Sequence, residues 1–103
     1  MNLNDAITRT RQVADKMPPP KWGAHQRFVE LVEEVGELAN AIQTEEGYKT
    51  SKRKKSEIVN SVCDCLYELF LIAGIYNVDL EKEYPEVLKE IDERRKQGEF
   101  EHV

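Results

Sequence analysis

Glu33, Glu34 and Glu37 crowd three carboxylates into one turn of a helical pattern. Two more acids, Asp64 and Glu68, lie inside the longest apolar stretch of the chain, residues 58–76. Carboxylates from two neighbouring helices are what a hard divalent cation takes as ligands. Such a cation is in turn what phosphate chemistry requires, because it offsets charge on the phosphoryl oxygens. Glu34 and Glu37 are spaced i,i+3, as are Ser61 and Asp64, so each pair shares one helix face. In an antiparallel hairpin around residues 47–56, Glu34 would lie about 20 Å from the loop and Asp64 about 18 Å from it. Glu37 and Ser61 match one another in the same way, at about 15 Å and about 14 Å.

A plainer reading competes. Glu30, Glu33, Glu34 and Glu37 lie largely opposite the apolar stripe of Phe28, Leu31 and Val35, and an acidic outer face on a surface helix needs no metal. Asp64 alters the balance, because a carboxylate in so apolar a helix is costly without a partner. That partner is a divalent ion, a lysine or arginine, or solvent at the edge of the hairpin. Other sites fit less well. The two histidines, His25 and His102, do not stand three residues after a glutamate, which removes the di-iron carboxylate pattern. Cys63 and Cys65 lack zinc spacing and point to opposite sides of a helix, so they read as reduced thiols. No glycine-rich phosphate loop is present, and no serine or cysteine has a histidine at hand to activate it.

Four helical segments must position these groups. The first spans about 3–17, with Asn2 or Asn4 as its cap, and Pro18-Pro19-Pro20 stops it. The second spans about 24–46, with Phe28, Leu31, Val32, Val35, Leu38, Ala39 and Ile42 as one apolar stripe and Gly47 as its stop. Gly36, inside it, suggests a close backbone approach. A basic connection follows, carrying Lys49, Lys52, Arg53, Lys54 and Lys55; it reads either as a solvated loop or as an attractor for polyphosphate. The third segment spans about 52–76 and is apolar on all sides beyond Leu69, which predicts burial against its own partners and another subunit. Asp79 caps a fourth, which starts at Pro85 or bends there and ends at Gly98. The expected fold is all-α, a small four-helix bundle-type domain over residues 1–103, with its core completed by oligomerisation.

The bulk numbers agree. The chain has 103 residues, suited to one domain, with 15 basic and 20 acidic side chains and a net charge of -5. That balance argues against general nucleic-acid binding. Polar interruptions at Asn60, Ser61, Asp64 and Glu68 argue against a membrane span, and the reduced thiols and lack of a secretory leader suggest a cytoplasmic setting.

The stretch 28–42, Phe-Val-Glu-Leu-Val-Glu-Glu-Val-Gly-Glu-Leu-Ala-Asn-Ala-Ile, resembles the first motif of the MazG-like nucleotide pyrophosphohydrolases, the all-α NTP pyrophosphatases. The family pattern is Glu-Glu-x-x-Glu followed, after a variable gap, by Glu-x-x-Asp. Glu33, Glu34 and Glu37 match its first half; Ser61-Val62-Cys63-Asp64 falls on the second, with serine in place of a glutamate. A second register, Glu57-Ile58-Val59-Asn60, keeps that glutamate and loses the aspartate. The resemblance continues through the turn at Asn77-Val78-Asp79 to the basic end at Arg94-Arg95. It implies cleavage of a nucleoside triphosphate between its α and β phosphates, giving monophosphate and pyrophosphate. Glu34, Glu37 and Asp64 would hold Mg2+, or Mn2+ in its stead. Glu33 would take a proton or bind a second ion, Lys89 and Arg94 would contact phosphate, and Trp22 would stack on the base or serve the core. A homodimer or homotetramer is expected. The alternative is a catalytically impaired oligomeric module on the same scaffold, binding a nucleotide or a protein, with activity lost at Ser61.

Overall fold

The computed structural model describes residues 1–49 and 56–101. It holds four helices: α1 (Leu3–Asp15), α2 (Ala24–Glu45), α3 (Ser56–Ile75) and α4 (Leu80–Lys96). No strand occurs among the described residues. The lysine-rich stretch of the connection, 50–55, lies outside them, as does His102.

Local chemistry accounts for the helix ends. Asn2 caps α1 reciprocally with Asp5: the Asp5 backbone N–H donates to Asn2 Oδ1 at 2.8 Å, and the Asn2 N–H donates to Asp5 Oδ2 at 3.2 Å. Gly23 opens α2, its N–H held by the Gln26 side-chain oxygen at 3.0 Å. Gly47 and Gly98 close α2 and α4 with positive φ angles of 83° and 76°, where a side chain would be strained. Asn77, at φ 53°, turns the chain out of α3. Asp79 caps α4 through the Lys82 N–H, so that helix starts at Leu80 and runs through Pro85.

α2 packs along α3 over its length, α1 packs on α3, and α4 rests chiefly on α1. The link between α1 and α4 is Asn4, which is not the α1 cap. Its amide donates to Asp79 Oδ1 at 2.9 Å, and its oxygen accepts from the Leu80 N–H at 3.1 Å. The Leu3 N–H donates to Glu81 beside it. Gly36 is not the site of close approach, since a methyl group there would meet nothing within 4 Å. Gly74 is: a methyl group there would lie 2.6 Å from Arg11 Cδ, so the Arg11 stem can cross α3 only over a glycine.

The inner and outer faces are partly inverted. On α2, Arg27, Glu30, Leu31, Glu34 and Leu38 are half-buried towards the body, while Phe28, Val32 and Val35 are 57%, 55% and 50% exposed. On α3, Ser61, Cys65 and Glu68 are buried, while Val59, Val62, Leu66 and Leu69 are exposed. The apolar stripe read from the sequence is divided: Phe28, Val32, Val35, Ala39 and Ile42 face outward in the single chain, while Leu31 and Leu38 turn inward. α4 repeats the pattern, with Tyr84, Val87, Leu88 and Ile91 all exposed. The chain therefore exposes 8135 Å², against about 6,000 Å² expected of a folded monomer of 12.0 kDa. Its radius of gyration is 16.9 Å, where a compact domain of this length has about 13 Å. Among the described residues α3 alone is long and apolar enough to cross a bilayer by length and composition, but it carries Asp64 and Glu68 and packs against two other helices.

Candidate functional site

Two cross-helix approaches fix the geometry of the hairpin. Arg27, at the start of α2, meets Glu68 on α3; Glu34, two turns further along α2, is within electrostatic reach of Asp64, one turn earlier on α3. Advancing along one helix means going back along the other, so α2 and α3 are antiparallel, and the half-buried Glu34 and the exposed Asp64 lie within electrostatic reach of one another.

Glu34 is half-buried and its carboxyl is pushed above the usual glutamate value of 4.5. Loss of hydration is the largest cause, followed by the negative charge of Asp64, then by a hydrogen bond and repulsion from Glu30, and last by Glu37. The same acids reach Cys65, a buried thiol raised first by burial and then by Glu34 and Asp64. Cys63 is exposed, so the two thiols do point apart. Neither Glu34 nor Asp64 is paired with a lysine or arginine among the described residues. Two like charges facing one another, Glu34 and Asp64, without a cation among the described residues, are chemically suited to a hard divalent ion, which would relieve the repulsion. The fit is incomplete, however. No group of three or more His, Cys, Asp or Glu among the described residues is gathered closely enough to hold an ion. Ser61, where a fourth oxygen ligand would be wanted, is 4% exposed.

The remaining candidates are dispersed. Glu33 is exposed and does not figure among the charges that perturb Glu34. Lys89 and Arg94 lie on α4, which rests chiefly on α1. Arg94 is engaged locally, donating to both Glu99 oxygens at 2.9 and 2.7 Å and covering the Phe100 ring. Trp22 is partly exposed, and the Arg27 guanidinium stands 5.0 Å from its ring centre, so part of its surface is already covered.

Arg27 and Glu68 were not legible as a pair. Arg27 Nη1 donates to Glu68 Oε1 at 3.3 Å, between Trp22 and Tyr67. Glu68 is 3% exposed, and its Oε2 has no hydrogen-bond partner. Its carboxyl is pushed up by burial, pulled back by Arg27 and raised further by Glu30. The available signal was the charge inventory: α2 and α3 hold one arginine and no lysine between them, so Arg27 was the nearest cation for a buried Glu68.

The described residues form an all-α chain in which α2 and α3 run antiparallel with Glu34 and Asp64 within electrostatic reach of one another. The family model for the MazG nucleotide pyrophosphohydrolase domain matches residues 24–98, from the start of α2 to the end of α4. The chain belongs to this family. No curated protein and no solved structure gives a significant match.

Proposed function

We propose that the chain hydrolyses a nucleoside triphosphate, NTP or dNTP, between its α and β phosphates, releasing the monophosphate and pyrophosphate, and that it clears surplus or non-standard nucleotides in the cytoplasm. The observation that carries this reading is the electrostatic reach between Glu34 and Asp64 across the hairpin, without a neutralising side chain among the described residues, in a MazG-family domain. Glu34, Glu37 and Asp64 are the residues that would hold Mg2+, with Mn2+ as a substitute. Once bound, such an ion supplies charge neutralisation on the phosphoryl oxygens and a polarised water for in-line attack. Glu34 carries the weight of the assignment, because it is half-buried and its carboxyl is raised by lost hydration and by the charge of Asp64, a repulsion that a cation between them would relieve. Ser61 leaves one position to water, which magnesium accepts at some loss of affinity. Glu33, on the exposed side of α2, would take a proton from the attacking water or bind a second ion.

The outward stripes favour a homodimer or homotetramer. The excess surface of about 2,000 Å² per chain is of the size that obligate interfaces bury. Lys89 and Arg94, on the helix that rests chiefly on α1, would reach the phosphates of a neighbouring copy in such an assembly.

A second reading is favoured by buried Ser61 and by the absence of a gathered trio of ligands among the described residues. Here the scaffold binds a nucleotide or a protein without turnover. A panel of NTPs and dNTPs with magnesium, scored for pyrophosphate, separates the two. Slow but measurable release is expected, and it should disappear in Glu34→Gln. Silence across the panel from correctly folded protein favours the binder. Ser61→Glu is expected to raise turnover and to widen the gap in melting temperature with and without magnesium, since a buried carboxylate without a cation is destabilising. No widening would count against the pairing of Ser61 with the site.

A further inference from the structure

An apolar groove runs along one side of the packing between α1 and α3 and ends at the proline joint. Thr10, Val13 and Met17, which share one face of α1, make one wall. Tyr67 and Phe70 of α3 make the other, and Trp22 closes the end. The Thr10 hydroxyl donates to the Ala6 carbonyl at 2.6 Å, so it brings no free polar group to the floor. From Ala6 to Met17 the α1 wall rises about 16 Å, the length of three helical turns. Most of this surface precedes residue 24, where the segment shared with the family begins.

The rim is basic. Residues 6–27 carry five arginines and lysines against one aspartate, in a chain whose net charge is -5. Arg9 and Lys16, seven residues apart, flank the Val13 face on one side at a spacing of about 10 Å. Both are exposed, and neither forms an ion pair among the described residues. The hydrogen bond of Arg9 goes only to the Met1 sulfur, at 3.5 Å.

α4 is the counterpart. Tyr84, Val87, Leu88 and Ile91 stand at i, i+3, i+4 and i+7, the pattern of a helix that lays one face into a groove, and all four are exposed. Residues 79–93 carry seven acids against two lysines. Glu83 and Glu90, again seven residues apart, flank the stripe, and neither forms an ion pair among the described residues. α4 is tied to its own α1 at its first turn, through Asn4 and the Leu3 N–H. Its stripe then continues uncovered, so α4 does not fill the groove of its own chain.

We propose that α4 of a second copy seats in this groove, with its stripe on Val13, Met17, Tyr67 and Phe70 and with Glu83 and Glu90 opposite Arg9 and Lys16. A two-fold pair makes the contact twice, because each chain offers both a helix and a groove. The proposal rests on the assembly reading above and not on the hydrolysis one, and it names surfaces other than the outward faces of α2 and α3.

A cross-link reads this contact alone. Full-length Cys63→Ser chains carrying Val13→Cys are mixed with Cys63→Ser chains carrying Leu88→Cys, left to exchange, and treated with a short bis-maleimide. Cys65 is buried, so the introduced thiol is the exposed one. A product joining positions 13 and 88 of two chains is expected, located by mass spectrometry. Arg9→Glu with Lys16→Glu on the groove chain should cut its yield by about tenfold, because like charges then face one another. Glu83→Lys with Glu90→Lys on the helix chain should do the same, and mixing the two reversed chains should restore the product. Circular dichroism checks each variant; should Val13→Cys not fold, Met17→Cys takes its place. Absence of the product from protein that sediments as an oligomer overturns the proposal and leaves the assembly reading standing, with α4 seated elsewhere. A yield indifferent to either reversal, or not restored by combining them, also overturns it. A monomeric parent overturns both the seat and the assembly, while pyrophosphate release still decides hydrolysis on its own.

Discussion

Glu68 is an acid that the interior only half accommodates. Arg27 serves one oxygen, the other has no donor, and burial holds the carboxyl above its ordinary 4.5 despite the guanidinium. An acid whose folded pKa exceeds its unfolded one contributes stability that is fully present below the unfolded value and is lost as pH rises through the folded one. Stability should therefore decline as pH climbs from about 4.5, with Glu34 adding to the same slope. Asp79, Asp92 and Glu99 have lowered pKa values and act in the opposite sense, losing stability only as pH falls below their ordinary values, so the two effects occupy separate windows. Glu68→Gln is expected to flatten the decline above pH 4.5. Urea melts across that range test this, and a slope unchanged from the parent would discount the role of Glu68. Arg27→Ala should be the harsher change, costing about 3 kcal/mol at neutral pH, because it leaves a buried charge without its cation.

At the scale of the elements, α4 depends on a side chain from α1. Asn4 meets both the cap of α4 and its first backbone N–H, so Asn4→Ala should loosen that helix while leaving α2 and α3 intact. Hydrogen exchange is expected to quicken by about tenfold across 80–84 and to stay unchanged on the hairpin, as for loss of a cap worth about 1 kcal/mol or more. Exchange at the parent rate would show that α4 holds itself in place. The helices and their ends could be read from the sequence because their causes are local. Asn2, Pro18, Gly47, Asp79 and Gly98 each act on their own backbone. Pro85 misled for a related reason. It removes one N–H and frees a carbonyl one turn earlier, but on an exposed helix water can satisfy that carbonyl, and α4 starts at Leu80, capped by Asp79, regardless. The rotation of α2 about its axis was not legible. It depends on what α2 packs against, and periodicity marks an apolar stripe without naming its partner. Hence the acids opposite Phe28 and Val35, read as an outer face, include the half-buried Glu30 and Glu34. Gly36 and Gly74 make the same point: both were visible, and only the crossing of α1 over α3 distinguishes them.

For the whole molecule, the excess surface and the extended shape carry one prediction. Sedimentation velocity at about 10 µM is expected to show a dimer or tetramer, and Val32→Lys combined with Leu66→Lys to shift it towards the monomer, because both positions lie on the outward apolar faces. A parent that sediments as a monomer at that concentration would leave those faces unexplained. How much of the candidate site was legible divides along the same line. Spacing and the rise of a helix put Glu34 and Asp64 at one level, and they lie within electrostatic reach of one another, whereas nothing in the segment of Lys89 and Arg94 tells what those side chains face. The inside-out hairpin has a further consequence, for life at low abundance. If association supplies the missing interior, folding is second-order in the chain itself, and stability rises with the logarithm of concentration. A cell holding few copies would then keep a disproportionately small share of them folded, and dilution alone would act as a brake.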